Sequence, residues 1–341
     1  MVWYSDWPYR KRISLNGQDG AGTDYQIKLS IGDSAGGDFH LEGHCTDFPN
    51  DIRFTDDDGE TLLSYWIEDI TTDPISVWIK ITDDLDTNQN IYVYYGKLAE
   101  SNLMDGVSTF IFFDNFDDNS LDTDKWNKRV ELGTITEQNG RLECGGGSTS
   151  APYGHTALDS KSLTTFRIGI IEGKLYLAAN GISEVGFRGG ADNTGYKNRA
   201  DARGGQGVGH LKPPYASWNF LANGGATGVA VGTGAWKAFK LTVYDDDTTC
   251  SMTTVVDGQT KNSSDTSYAT QEGRISLQNH YGSYTYYDDI RVRKYVATEP
   301  SFGSADSEEE VPISSSNPLY FANDGKLHFY GRGKQIVFTT V

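Results

Sequence analysis

The side chains best suited to chemistry in this 341-residue chain lie in and beside a glycine-rich stretch, Gly189 to Gly234. Arg188, Tyr196, Arg199, Tyr215 and Trp218 combine aromatic rings, on which the CH faces of a sugar can stack, with guanidinium forks and phenols that can order hydroxyl groups. The stretch is too irregular for a strand ladder and long for a plain connection, so it reads as exposed loops that carry function. These five residues are therefore the candidate ligand contacts. At Tyr215 and Trp218 a second reading stays open, because beside Pro213-Pro214 the two rings would equally pin a long loop to the body of the protein.

Other reactive residue types do not assemble into a recognisable centre. His40, His44 and Cys45 are the closest group of nitrogen and sulfur ligands, but a zinc site normally adds a fourth ligand at recognisable spacing. There is no G-x-S-x-G elbow and no Walker-type loop. Gly204-Gly205-Gln206-Gly207-Val208-Gly209 lacks the preceding apolar strand and following helix of a nucleotide site. Asp288 and Asp289 are adjacent, so on a strand they point to opposite faces and cannot act as a pair. No residue is assigned a catalytic role. The three cysteines, Cys45, Cys144 and Cys250, are an odd number without C-x-x-C spacing; Cys144 with Cys250 is the one pairing weighed, and the sequence does not supply its geometry.

The elements that must position these residues are strands. Arg12–Leu15, Tyr25–Leu29, Ile52–Phe54, Ser64–Ile67, Val77–Ile81 and Ile91–Tyr95 alternate apolar and polar residues with period two, separated by Asn16-Gly17, Asp58-Gly59 and the polar stretch Asp83 to Asn90. Six strands without an amphipathic helix predict an antiparallel sandwich. One helical turn is expected over Ala99–Asp105. A second unit opens at Phe110 and carries strands at 140–144, 166–172, 174–178, 184–188, 237–244, 250–256, 274–277 and 286–292. The fold class is therefore all-β, with two consecutive antiparallel β-sandwiches and a short C-terminal β tail. The expected domains are 1–105, 106–302, a linker at 303–317 rich in Glu and Ser, and a three-stranded tail at 318–341 that is too small to bury a core alone and so docks on the body or on another subunit.

Composition limits the partners. The formal net charge is −18, which repels nucleic-acid phosphates and anionic lipid headgroups. Acidic clusters at 56–58, 245–247 and 308–310 read as solvated turns. No apolar run approaches the length that spans a bilayer, and the N-terminus shows neither a basic n-region nor an apolar h-region. Nucleic-acid binding and membrane insertion are not expected.

Two resemblances add to this reading. Trp7-Pro8-Tyr9-Arg10-Lys11-Arg12-Ile13, Asp51–Phe54 and Ile91–Gly96 resemble an uncharacterised β-sandwich family that commonly precedes laminin-G or concanavalin-like domains, and that family implies no activity. Phe113–Asp117 with Leu121 and Trp126, Trp236–Leu241 and Tyr286–Val292 resemble the concanavalin A-like lectin/glucanase superfamily. This second resemblance implies a jelly-roll sandwich with one concave face, often used to hold glycans. It also implies a structural calcium ion, whose ligands would be Asp114 or Asp117 from the entry strand with Asp289 from the last strand; the same acids satisfied by backbone N–H groups in turns is the alternative. Glycosidase members of the superfamily carry Glu-x-Asp-x-x-Glu on one strand, placing two carboxyl groups about 5 Å apart. No such run occurs here, and Glu172 and Glu184 lie too far apart in sequence to mimic it.

The expected function is non-enzymatic: a structural or adhesive protein on a virion surface, as a capsid decoration, fibre or tail component, whose lectin-like domain contacts a glycan or receptor. Its expected partners are that glycan or receptor, other subunits of the virion or surface assembly, and further copies of itself. A secreted or cell-surface carbohydrate-binding module is the alternative, and a divergent glycoside hydrolase the third.

Overall fold

The computed structural model describes the chain except residues 1–2, 5, 131–132, 147–154, 162, 164–165, 190–194, 213–219, 281–282, 312–319, 322–326, 332–333 and 339–341. Nearly every element is a strand, and the chain divides into two compact units, 1–109 with 296–341 and 110–295.

In the first unit the alternating runs become β1 (Tyr9–Asn16), β2 (Tyr25–Gly32), β3 (Phe39–His40), β4 (Ile52–Thr55), β5 (Tyr65–Ile67), β6 (Ile75–Ile81) and β7 (Gln89–Tyr95). One sheet contains β1, β7 and β4 and the other runs β3-β2-β6-β5. Ile13, Leu15, Ile52, Phe54, Ile91 and Val93 of the first sheet meet Ile27, Leu29, Val77 and Ile79 of the second in one buried core. Burying each such side chain stabilises the fold by roughly 1.5–3 kcal/mol relative to exposure. The single helical turn, α1 (Gly106–Thr109), follows the expected segment instead of lying in it. Asp105 is its N-cap, accepting the Ser108 amide at 3.0 Å and its hydroxyl at 2.6 Å.

The second unit is a larger sandwich. Its strands are β8 (Phe112–Asp114), β9 (Trp126–Val130), β10 (Thr134–Glu137), β11 (Leu142–Gly145), β12 (His155–Ser160), β13 (Gly169–Leu177), β14 (Ile182–Gly189), β15 (Tyr196–Asp201), β16 (Val208–Leu211), β17 (Trp236–Asp245), β18 (Cys250–Val256), β19 (Gln259–Asp265), β20 (Arg274–His280) and β21 (Thr285–Arg293). An eight-stranded sheet runs β10-β11-β21-β13-β17-β18-β19, with β8 also on β21, and a six-stranded sheet runs β16-β15-β14-β20-β12-β9. Their facing sides share one core that includes Trp126, Leu158, Val185, Leu277, Leu175 and Leu241. The stretch expected to be loops from Gly189 to Gly234 thus supplies two strands, β15 and the edge strand β16. Cys144 and Cys250 are both free. They lie four strand steps apart in one sheet, roughly 19 Å at about 4.8 Å per step, against the roughly 7 Å between Cα atoms that a disulfide tolerates.

After Tyr295 the chain returns to the first unit, so the expected boundary at 302 and the linker from 303 do not describe it. β22 (Ser301–Ala305) and β23 (Glu309–Glu310) both pair with β1. Two of the three glutamates depart from a solvated run: Glu309 bonds the buried Arg10 at 2.8 Å, and Glu308 accepts the Tyr95 hydroxyl at 2.8 Å and meets His44 Nδ1 at 2.8 Å, while Glu310 is exposed. Charge complementarity with β1 and β7, invisible in a local window, draws the segment onto the sheet. The tail then forms β24 (Tyr320–Phe321), β25 (Leu327–Gly331) and β26 (Lys334–Phe338), a separate three-stranded antiparallel sheet.

Candidate functional site

The six-stranded sheet of the second unit carries polar residues on the side turned away from the core. Along β14 the core residues Val185 and Phe187 alternate with Glu184 and Gly186; along β20, Ile275 and Leu277 alternate with Ser276 and Gln278. Register then aligns these outward positions into two rows across the sheet. The first runs Gly209, Arg199, Glu184, Gln278, Ala157, Arg129 from β16 to β9. The second runs Leu211, Lys197, Gly186, Ser276, Asp159, Asn127.

These rows form a polar floor that is nonetheless buried: Glu184 and Gln278 are each only 2% exposed. Glu184 takes Arg199 Nε at 2.8 Å and Lys197 Nζ at 3.0 Å, and the two cations hold its carboxyl far below the ordinary glutamate value despite its burial. Such a carboxylate stays ionised and is a poor general acid. Arg129 Nε meets Asp159 at 3.2 Å at the other end of the floor. Between them, Gln278 Nε2 donates to Ser276 Oγ at 2.7 Å, while Gln278 Oε1 is buried without a hydrogen-bond partner among the described residues. Gly186 completes the arrangement by letting Ser276 pack against the strand: a Cβ there would meet Ser276 Oγ at 2.3 Å.

At the β15–β16 edge the floor leads to a pocket of about 460 Å³ lined by Arg203, Gly204, Gln206 and Phe220. Asp201 orients Arg203 through Nε at 3.0 Å and Nη2 at 2.7 Å, as a two-pronged ion pair. Phe220 packs over β16 because residue 209 is glycine; a Cβ there would lie 2.4 Å from the ring. The pocket therefore offers an aromatic ring, a guanidinium and an amide.

The sequence-predicted contacts are placed differently from expectation. Arg188 is fully buried at a bulge in β14, with φ of +54°. Its guanidinium is used by the carbonyls of Arg167, Tyr268 and Ala269 and by the carboxylate of Asp245, so it braces loops and is not presented to solvent. Asp245 also holds Arg167 Nε at 3.0 Å and so is not solvated, whereas Asp246 and Asp247 of the same turn are exposed and Asp246 accepts the Thr248 amide at 3.0 Å, as expected. Tyr196 is buried in the core, with its hydroxyl 3.1 Å from Asp265 Oδ1. Arg199 does lie on the polar floor, buried against Glu184 instead of exposed on a loop. Tyr215 and Trp218 lie outside the described residues. Glu184, Gly186, Lys197, Ser276, Gln278, Arg203, Gln206 and Phe220 were not among the candidates; the clue was the alternation of polar with core residues along β14 and β20.

The calcium ligands are brought together only in part. Asp114 is occupied, accepting Trp126 Nε1 at 2.6 Å and the Phe116 amide at 3.0 Å. Asp289 bonds Lys174 Nζ at 2.5 Å. Burial raises the carboxyl of Asp117, with the charge of Asp289 adding to it, and burial with the adjacent Asp289 pushes Asp288 up to about 7. Lys174 Nζ answers the charge at Asp289 and lies 3.9 Å from Asp288, and Asp114 is already engaged by Trp126 and Phe116. Among the described residues, the only three metal-ligating side chains whose ligand atoms all lie within 4.8 Å of one another are Asp56, Asp57 and Asp83. His40, His44 and Cys45 form no such group: His40 sits 3.7 Å from Glu42, and His44 is turned to Glu308.

No helix among the described residues is long and apolar enough to cross a membrane. Residues 48–129 match the model of a domain of unknown function, DUF2341; the match takes in Asp51–Phe54 and Ile91–Gly96 but not the Trp7–Ile13 opening. No curated protein matches the sequence. Among solved structures, a protein of unknown function with a galectin-like fold from Bacillus subtilis is 12% identical, covering 55% of this chain and 97% of that one with a TM-score of 0.41. The carbohydrate-binding module CBM66 from Bacillus subtilis is 14% identical, covering 49% and 95% with a TM-score of 0.36. A β-glucanase of Bacillus licheniformis is 16% identical, covering 54% and 98% with a TM-score of 0.36.

Proposed function

We propose that the second unit binds a glycan on the outer face of its six-stranded sheet, without transforming it, and that the whole chain is a structural or adhesive component of a surface. The supporting observation is Gln278 Oε1, which is buried without a hydrogen-bond partner among the described residues, beside Ser276 and opposite Glu184 of the Glu184–Arg199 pair. A buried acceptor without a donor costs about 1–3 kcal/mol, and a sugar hydroxyl donating to it removes that cost on binding. Arg203, Gln206 and Phe220 extend the same chemistry to the edge of the sheet.

The carboxylates on this face support a binding role over hydrolysis. Glu184 and Asp159, the acids on this face, lie on strands two steps apart, and each is engaged by cations, Glu184 by Arg199 and Lys197 and Asp159 by Arg129. Glu184 is also shifted in the direction opposite to that of a general acid.

Gly186→Ala tests the reading. The new methyl meets Ser276 Oγ and moves the hydroxyl that Gln278 Nε2 bonds, so the fold persists while binding on a glycan array is lost. Unchanged array binding by this variant, or cleavage of a polysaccharide panel by the parent protein, refutes it. The setting we propose is a virion surface, as capsid decoration, fibre or tail protein, with homo-oligomeric assembly through the tail; a secreted or cell-surface module is the alternative. Electron microscopy of the native assembly separates them, since ordered copies on a particle are incompatible with a free module.

A further inference from the structure

We infer that the opposite, eight-stranded sheet carries a second binding face, an aromatic row across β17, β13 and β21 that takes an extended neutral polysaccharide. Register places Trp236 opposite Tyr176, Tyr176 opposite Tyr286, and Tyr286 opposite Glu143. The core residues Leu175, Leu177, Phe239, Leu142 and Tyr287 alternate with these, so the row lies on the side away from the core. Ring centroids step 5.9 Å from Trp236 to Tyr176, 5.2 Å to Tyr286 and 6.3 Å to Tyr284.

Orientation decides which rings can meet a ligand. Tyr176 and Tyr286 are stacked on each other at 28°, and Arg141 covers Tyr286 from 4.2 Å, so this middle pair has its faces occupied. The two ends differ. Trp236 touches Tyr176 edge-on at 66° and is 38% exposed. Tyr284 lies against β11, where a Cβ on Gly145 would sit 2.0 Å from its ring, and it is 45% exposed. Gly145 thus allows one ring face to seat on the backbone while the other faces solvent. Two solvent-facing rings at the ends of a stacked pair, with Arg141, Glu143 and Gln138 bonded together beside them, make a platform with polar margins.

This pattern selects its ligand class. The two available rings, Trp236 on β17 and Tyr284 at the start of β21, stand two strand steps apart, roughly 10 Å at about 4.8 Å per step, so an extended chain of equatorially linked pyranoses, which present flat CH faces, can touch both. The margin is an internally paired Arg141–Glu143, which gives no charge preference, while the net charge of −18 disfavours polyanions. A neutral β-linked glucan fits both conditions.

Co-sedimentation with amorphous cellulose reads this out. The parent protein pellets with it, Trp236→Ala and Tyr284→Ala each weaken retention by about tenfold, and Trp236→Tyr retains most of it. Both truncated rings are partly exposed and outside the core, so the fold persists with a small fall in melting temperature, and Trp236→Tyr separates loss of the ring from loss of packing. Gly186→Ala on the other sheet keeps full retention, which separates this face from the one proposed above. Failure of the parent to pellet, equal retention by Trp236→Ala, or a change from oligomer to monomer in that variant, which would mean the row is covered by a second copy, overturns the inference.

Discussion

Removing the charge of Glu184 while keeping its shape, as Glu184→Gln, leaves Arg199 and Lys197 facing each other without their shared anion. The Glu184 carboxylate is 2% exposed and the two cations have side-chain exposures of 6% and 12%, so solvent screens them little. Breaking a buried pair by removing one partner costs about 3–5 kcal/mol; because Lys197 keeps some access to water, the lower end applies, about 3 kcal/mol. In a unit spanning 110–295 this lowers the melting temperature by about 6–12 °C. Scanning calorimetry measures it, and Glu184→Gln with Arg199→Gln recovers part of the loss because the uncompensated cation is gone. The sign with pH is also fixed. Glu184 is held below its ordinary value of 4.5, so the stability it contributes is present above pH 4.5 and is lost as the pH falls from there toward the lowered folded value. The difference between parent and variant therefore narrows below pH 4.5. A melting temperature within about 2 °C of the parent at pH 7, or a difference that widens in acid, refutes the buried-triad reasoning.

Three further outcomes follow from other sites. His210 is buried between Ser263 and Thr254, and burial lowers its pKa from 6.5 to about 3, so it favours folding above pH 6.5 and loses that contribution toward pH 3. Relative to His210→Gln, the parent should lose about 2 kcal/mol between pH 6.5 and 5 in urea titrations, and parallel pH profiles would rule this out. If Asp117 and its neighbours hold calcium, millimolar calcium raises the melting temperature and Asp117→Asn abolishes the rise; a melt unmoved by calcium and by chelator removes the site. Gly209→Ala pushes Phe220 off β16 and should weaken binding to the pocket at the sheet edge, measured by calorimetric titration with the best array glycan.

The strands were legible in the sequence wherever one face is apolar and the other wet. Ile13-Ser14-Leu15 and Val77-Trp78-Ile79-Lys80-Ile81 announce β1 and β6 without reference to anything distant. Less could be read where a polar segment is recruited by a remote partner. Ser301-Phe302-Gly303-Ser304-Ala305 has linker composition, and what makes it a strand is the open edge of β1, nearly three hundred residues earlier. The acidic run 308–310 is likewise explained by Arg10, Tyr95 and His44, which no local window contains.

The candidate site was obscured by the same physics that makes it a candidate. β15, Tyr196-Lys197-Asn198-Arg199-Ala200-Asp201, shows no apolar and polar alternation because its outward positions are charged and its inward set includes Asn198, so it reads as loop. Yet Lys197 and Arg199 are on a strand because Glu184 of β14 is waiting opposite Arg199, and the ladder between β14 and β15 is locked by ion pairs as well as backbone hydrogen bonds. A rule that equates arginine and tyrosine near glycines with exposed contacts thus selected Arg188 and Tyr196, which the fold spends on bracing loops and filling the core. The residues left for a ligand are those whose hydrogen-bonding capacity the fold does not use up, and among the described residues Gln278 Oε1 is such an atom. Identifying it requires knowing every neighbour of a buried amide, which is a property of the folded sheet and not of the sequence around residue 278.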